Sequence, residues 1–250
     1  MAISLDKIEQ KAPELLSLSK NANHTLKSKG LEGHRAKVAL CLDYSMSMNP
    51  HYNSGAMQRL AEKVLAFGSQ IDDDGAIDIF IFGREAEYLG ELTIDNFRDG
   101  LAKLLGNRRK TSTGYHAAFD LIRDHYFPAK KGLGGLFGKT ATPNAPLSAP
   151  AELPVHVTFL TDGSPDSRKL AQESLVKASF VPIFWQFLSI GSEEFPFLVK
   201  LDDLKTRYVD NADYKPVGDV DKLTSTELYN ALLDEYPEYI QVQRANRQIR

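Results

Sequence analysis

One cysteine, Cys41, stands in 250 residues, so no disulfide can form within the chain. Inside an apolar run, its thiol is expected to be buried and inert, which suits a reducing compartment. No apolar run approaches the ~20 residues that span a bilayer. The start, Met1-Ala2-Ile3-Ser4-Leu5-Asp6, has neither the cationic opening nor the apolar core of a secretion signal, so a soluble cytoplasmic protein is expected. Excess charge is also missing. Lys and Arg number 30 against 33 Asp and Glu, a net charge of −3, which removes the usual electrostatic reason to expect nucleic acid. His51, His116 and His156 are not spaced as a zinc cluster, and His156 is expected to pack or hydrogen-bond within its strand. There is no nucleophile-elbow pentapeptide of a serine hydrolase. Gly132-Leu133-Gly134-Gly135-Leu136-Phe137-Gly138-Lys139-Thr140 looks like a phosphate-binding loop, but Leu133 takes the place of the first glycine and no strand feeds it.

What is present is enough apolar content, 42% of the residues, for one large core. Within it, Val38-Ala39-Leu40-Cys41-Leu42 runs into Asp43, with Ser45 and Ser47 two and four residues on. A buried strand that ends in one carboxylate and two alternating hydroxyls offers the hard oxygen donors that Mg²⁺ prefers. A second run, Val155-His156-Val157-Thr158-Phe159-Leu160-Thr161, ends the same way on Asp162. If both strands lie in one parallel sheet, Asp43 and Asp162 emerge at the same carboxyl edge, where open α/β sheets bind ligands.

Between and beyond these runs, strands and helices alternate, which implies an α/β sandwich of three layers. Met57, Leu60, Val64 and Phe67 recur at helical spacing through about Gln70. Asp72-Asp73-Asp74-Gly75 reads as a solvated turn, because no further acids follow at calcium-loop spacing. A strand over 76–82 and a short edge strand over 86–92 follow, then a helix capped by Thr93 or Asp95 and carrying Phe97, Leu101, Leu104 and Leu105. A helix is expected over 115–126 with Ala118, Leu121 and Ile122 inward. Residues 128–154, rich in Gly, Ala, Pro and Lys, read as a flexible insertion. A helix through about Phe180, a strand over 183–190, a helix over 195–201, a short strand near Tyr208-Val209 and a final helix from the capping box Thr224-Ser225-Thr226-Glu227 complete the set.

These residues resemble von Willebrand factor type A (vWA) domains, whose metal-ion-dependent adhesion site combines Asp-x-Ser-x-Ser with a distant Thr and a distant Asp. The resemblance implies Asp43, Ser45, Ser47, Thr113 and Asp162 as the metal set, with Thr111 the alternative to Thr113. It also implies a mostly parallel central sheet with one antiparallel edge strand. Gln58-Arg59-Leu60-Ala61-Glu62, Pro182-Ile183-Phe184-Trp185-Gln186-Phe187 and Arg207-Tyr208-Val209-Asp210-Asn211-Ala212-Asp213 are similar to bacterial vWA proteins associated with tellurite or toxic-cation resistance. On that reading, 1–36 is an N-terminal lead-in and 37–250 a single vWA domain with a helical C-terminal end. Met46 departs from the family, standing where a glycine is common between the two serines.

The function expected is a non-enzymatic, metal-dependent interaction module in tellurite, toxic-cation or general stress response. It would bind a divalent cation, Mg²⁺ first and Mn²⁺ or Ca²⁺ next, and dock an acidic group of a protein partner. Two rivals stand beside it. A phosphatase using Asp43 as nucleophile wants a second acid two residues on, where this chain has Ser45. A metal-independent scaffold would use the long insertion and the basic end with Arg244, Arg247 and Arg250.

Overall fold

The computed structural model describes residues 3–72, 74–128, 145–191 and 195–250. The phosphate-loop likeness at Gly132–Thr140 and Asp73 lie outside them. Among the described residues the helices are α1 (Leu5–Lys11), α2 (Leu16–Ser28), α3 (Asn49–Asn53), α4 (Ala56–Ile71), α5 (Gly100–Leu105), α6 (Tyr115–Tyr126), α7 (Arg168–Ala178), α8 (Pro196–Asp202), α9 (Ser225–Leu232) and α10 (Tyr236–Ala245). The strands are β1 (Lys37–Asp43), β2 (Ala76–Phe82), β3 (Ala86–Thr93), β4 (Val155–Thr161), β5 (Ile183–Ile190) and β6 (Ala212–Gly218). They form one sheet in the order β3-β2-β1-β4-β5-β6, parallel throughout except for the antiparallel edge pair β2–β3. The expected three-layer α/β/α sandwich with a mostly parallel sheet is what the chain adopts.

Strands β4 and β5 are buried along their whole length because helices cover both faces of the sheet. Alternation along β1 sends Val38, Leu40 and Leu42 into the core under α2, α4, α9 and α10, and Ala39 and Cys41 into the core under α6, α7 and α8. Burial raises the Cys41 thiol well above its ordinary value, which keeps it protonated and unreactive. His156 lies fully buried on β4 with Nε2 2.8 Å from the Leu232 carbonyl oxygen, and burial holds its imidazole down to about 4, hence neutral. The N-terminal residues join the first core: Ile8, Leu15, Ala22 and Leu26 are buried there, and Ile3 N–H donates to Ser69 O at 2.8 Å.

Three elements differ from the sequence-based expectation. Helix α5 begins only at Gly100, because Asn96 Oδ1 takes the Thr93 N–H at 2.7 Å and Thr93 Oγ1 takes the Asp95 N–H at 3.2 Å. These side-chain bonds build a turn where a helix start was expected. The last strand begins at Ala212, paired with Trp185, whereas Tyr208 stacks on Phe180 with ring centroids 5.4 Å apart. The final helix is two helices, the second opened by Pro237 in its first turn. The capping box is intact: Glu227 N–H donates to Thr224 Oγ1 at 3.2 Å and Thr224 N–H donates to Glu227 Oε2 at 2.9 Å. Thr224→Ala is therefore expected to lower the stability by about 1 kcal/mol, read as a fall in the urea midpoint with unchanged slope.

Candidate metal centre

Strands β1 and β4 are neighbours, and the chain departs from them toward opposite edges of the sheet, β2 on one side and β5 on the other. This is the switch point at which the carboxyl ends of parallel strands leave a crevice. Asp43 closes β1 and Asp162 follows β4, so the sheet brings the two carboxylates together across 118 intervening positions of sequence.

Asp43 is fully buried. Its Oδ1 accepts the Ser45 N–H at 2.9 Å and its Oδ2 accepts the Thr161 hydroxyl at 2.6 Å. Desolvation nevertheless raises its carboxyl to about 6, with the Thr161 and Ser45 hydrogen bonds opposing the rise and the nearby Asp162 adding to it. Above this carboxylate the hydroxyls form a chain: Ser45 Oγ lies 3.0 Å from Ser47 Oγ, and Ser47 Oγ donates to Asp162 Oδ1 at 2.8 Å. Four of the five residues in the expected metal set are thus linked in one hydrogen-bonded group. The fifth, Thr113, is half-buried on the adjoining loop, where its carbonyl accepts the Asp166 N–H at 2.8 Å and ties that loop to the one that follows Asp162.

Thr111 does something else. It pairs with Ser45 as an isolated parallel bridge, and its Oγ1 accepts the Arg84 N–H at 2.8 Å, so its hydroxyl supports the β2–β3 turn.

Several residues that hold the site were not singled out in the sequence. Thr161 anchors Asp43; it ends β4 beside β1, a position readable once the two strands are known to be neighbours. Tyr115 donates its hydroxyl to the Gly163 carbonyl and lies 3.3 Å from Thr161 Oγ1, while Tyr52 donates to the Asp43 carbonyl at 2.9 Å. Lys110 sets its ammonium 4.1 Å from the Tyr52 ring centroid and 5.1 Å from that of Tyr44. Burial draws the Lys110 ammonium down and the field of Asp43 opposes that. Gly83 and Gly114 let the loops touch: a Cβ on Gly83 would meet Thr111 Oγ1 at 2.1 Å, and one on Gly114 would meet Gly83 O at 2.8 Å. No pattern in the sequence marks these two glycines apart from the other fifteen of the 17.

The donor set fits a small hard cation. Around an ion with oxygens at 2.0–2.1 Å in octahedral array, neighbouring ligands sit about 2.9–3.0 Å apart. The Ser45–Ser47 and Ser47–Asp162 separations, 3.0 and 2.8 Å, are those of ordinary hydrogen bonds, so it is the hard oxygen chemistry of the donors and not their spacing that matches the cation.

A family model for the von Willebrand A domain found at the C terminus of TerF matches residues 35–134 and 143–249. The chain belongs to this vWA-TerF-like family. It is similar to the uncharacterized protein YcbR of Bacillus subtilis (strain 168), with 30% identity over 222 residues, 88% of this chain and 84% of that one. Among solved structures it is similar to proximal thread matrix protein 1 of the mussel byssus, with a TM-score of 0.56 and 14% identity over 82% of this chain and 48% of that one. This vWA chain therefore spans about half the length of that structure, and the likeness is one of fold. A second likeness is to the ArnB paralog VWA2 of Sulfolobus acidocaldarius, with a TM-score of 0.49 and 14% identity over 81% of this chain and 45% of that one. Among the described residues no helix is long and apolar enough to cross a membrane.

Proposed function

We propose that this vWA domain is a metal-dependent interaction module of the cytoplasm. Ser45, Ser47 and Thr113 would hold a divalent cation with their hydroxyls, while Asp43 and Asp162 supply negative charge. The observation that carries the reading is the oxygen chain Ser45–Ser47–Asp162 standing over the buried carboxylate of Asp43. Hydroxyl ligands leave more of the ion's charge unquenched than carboxylates do, so when bound the cation would supply a Lewis-acidic point for an acidic group of a partner. The chain's part is to position it. Thr161 and the Ser45 N–H fix the Asp43 carboxylate, and Tyr52 and Tyr115 fix the backbone on either side.

Hard hydroxyl and carboxylate oxygens suit Mg²⁺ first and Mn²⁺ or Ca²⁺ next. A nucleophilic role for Asp43 is disfavoured, because both its oxygens are occupied and no part of it is exposed. A place in tellurite, toxic-cation or general stress response is what the resemblance to bacterial resistance proteins adds.

Titration calorimetry with Mg²⁺ and Mn²⁺ tests the site. Wild type is expected to bind one ion, and Asp162→Ala to bind it more than about tenfold more weakly. Equal binding by the two proteins would remove this centre.

A further inference from the structure

Beside the metal centre a cleft of about 740 Å³ opens between the β2–β3 turn and the loop before Thr113. Its wall includes Tyr44 and Thr111, the chain neighbour and the bridge partner of Ser45, so it shares a border with the hydroxyl ligands. The cleft is lined by Arg84, Arg108 and Arg109. Arg108 is committed: its Nε lies 2.8 Å from Glu87 Oε2, its Nη2 pairs with the other carboxylate oxygen, and its Nη1 donates to the Leu104 and Leu105 carbonyls at 2.7 and 2.8 Å. Arg84 and Arg109 are different. Both side chains are exposed, and among the described residues neither guanidinium has an ion-pair partner.

Charge accounting makes the cleft positive. Glu87 is neutralised by Arg108. Glu85, on the same turn, offsets one of the two free guanidinium groups and leaves the other in excess. Lys110, held over the rings of Tyr44 and Tyr52, adds a fixed positive charge on the side facing the metal centre. The turn that presents Arg84 is braced, since the Arg84 N–H donates to Thr111 Oγ1 and Gly114 N–H donates to Gly83 O at 2.6 Å. The bracing fixes where the Arg84 side chain starts, and its guanidinium can bind a carboxylate with two parallel N–H bonds.

We propose that the partner segment of this domain is a diacidic peptide: one carboxylate meets the metal centre and a second, a few residues along, enters the cleft onto Arg84 and Arg109. The inference rests on the docking function proposed above and adds the chemistry of the partner. Extended chain advances at most ~3.3–3.6 Å per residue, and the cleft wall begins at the residue next to Ser45, so the two acids need stand only a few positions apart.

Fluorescence anisotropy tests this with labelled 12-residue peptides of Gly, Ser and Ala that carry one Asp, or two Asp separated by one to five residues. Each is titrated in Mg²⁺ and in EDTA against wild type and the double variant Arg84→Ala/Arg109→Ala. The best diacidic spacing is expected to bind wild type roughly tenfold more tightly than the single-Asp peptide, in Mg²⁺ alone. The double variant should bind both peptides equally while its Mg²⁺ affinity stays within about twofold of wild type, which shows that the centre is intact. If single-Asp binding requires Mg²⁺ but no second Asp improves it, or if the improvement survives in the double variant, the cleft is not the second site and the docking reading stands alone. If Mg²⁺ binds but no peptide does, both readings fall.

Discussion

Asp43→Asn is expected to raise the melting temperature of the metal-free protein at neutral pH and to abolish its response to Mg²⁺. The carboxyl titrates near 6 in the folded chain against an ordinary value of 3.8, a rise caused first by desolvation. A carboxylate with a raised folded value binds its proton more tightly when folded. Its contribution to stability is therefore greatest below the ordinary value, is lost as the pH rises between 3.8 and about 6, and stays lost above that. At pH 7 the ionised group then subtracts about 3 kcal/mol, at 1.36 kcal/mol for each pH unit between the two values. Asparagine has nearly the same shape, still accepts the Ser45 N–H, and leaves Thr161 able to donate to Gly163 O, 3.3 Å away.

A gain of that size corresponds to roughly 6–12 °C for a chain of this length. The quantity to follow is the difference between the two proteins at each pH, because His34 and His156, neutral and held down to about 4, lose stability on acidification in both. The difference should shrink as the pH falls through about 6 and vanish below about 3.8. Saturating Mg²⁺ at about 100 times its dissociation constant should add ~2.7 kcal/mol to wild type and nothing to the variant. A metal-free variant less stable than wild type at pH 7 would show that Asp43 is not a strained buried charge awaiting a cation.

The second large effect belongs to a glycine. Gly114 has an ordinary negative φ of −100°, so alanine there meets no backbone penalty. Space is the obstacle: its Cβ would lie 2.8 Å from Gly83 O and 2.9 Å from Arg84 O, and neither backbone carbonyl can rotate aside. The loop carrying Thr113 must then separate from the β2–β3 turn. Gly114→Ala is expected to lose about 2 kcal/mol of stability through overpacking and, by displacing Thr113, more than about tenfold in Mg²⁺ affinity. Thr113→Ala should lose the affinity with little change in stability. Thr111→Ala should do the reverse, because its hydroxyl supports the Arg84 N–H. Wild-type Mg²⁺ affinity in both Gly114→Ala and Thr113→Ala would take Thr113 out of the ligand set.

How much of this was legible in the chain depends on the range of the interaction that decided it. Strands β1, β4 and β5 announce themselves as apolar runs because both faces are buried, and α4 by its 3.6-residue periodicity. Asp43, Ser45 and Ser47 stand together in sequence, so their oxygens could be read as one group, and the run that ends on Asp162 repeats the pattern. The misread elements are those with competing local chemistry or a remote partner. Asn96 diverts the start of α5 by a side-chain bond to Thr93, and β6 begins where Trp185 of β5 offers a partner.

The sequence by itself determined the fold class and the half of the centre carried on one strand end, because burial periodicity and adjacent ligands are short-range properties. The tertiary structure alone decided the rest. Strand order placed Asp162 over Ser47, loop contact set Thr111 Oγ1 against the Arg84 N–H beside Gly83, and burial turned Asp43 into a reluctant acid. Among the described residues it also left Arg84 and Arg109 without an ion-pair partner beside the site, while Arg108 captured Glu87 in space, which nothing in their order along the chain announces.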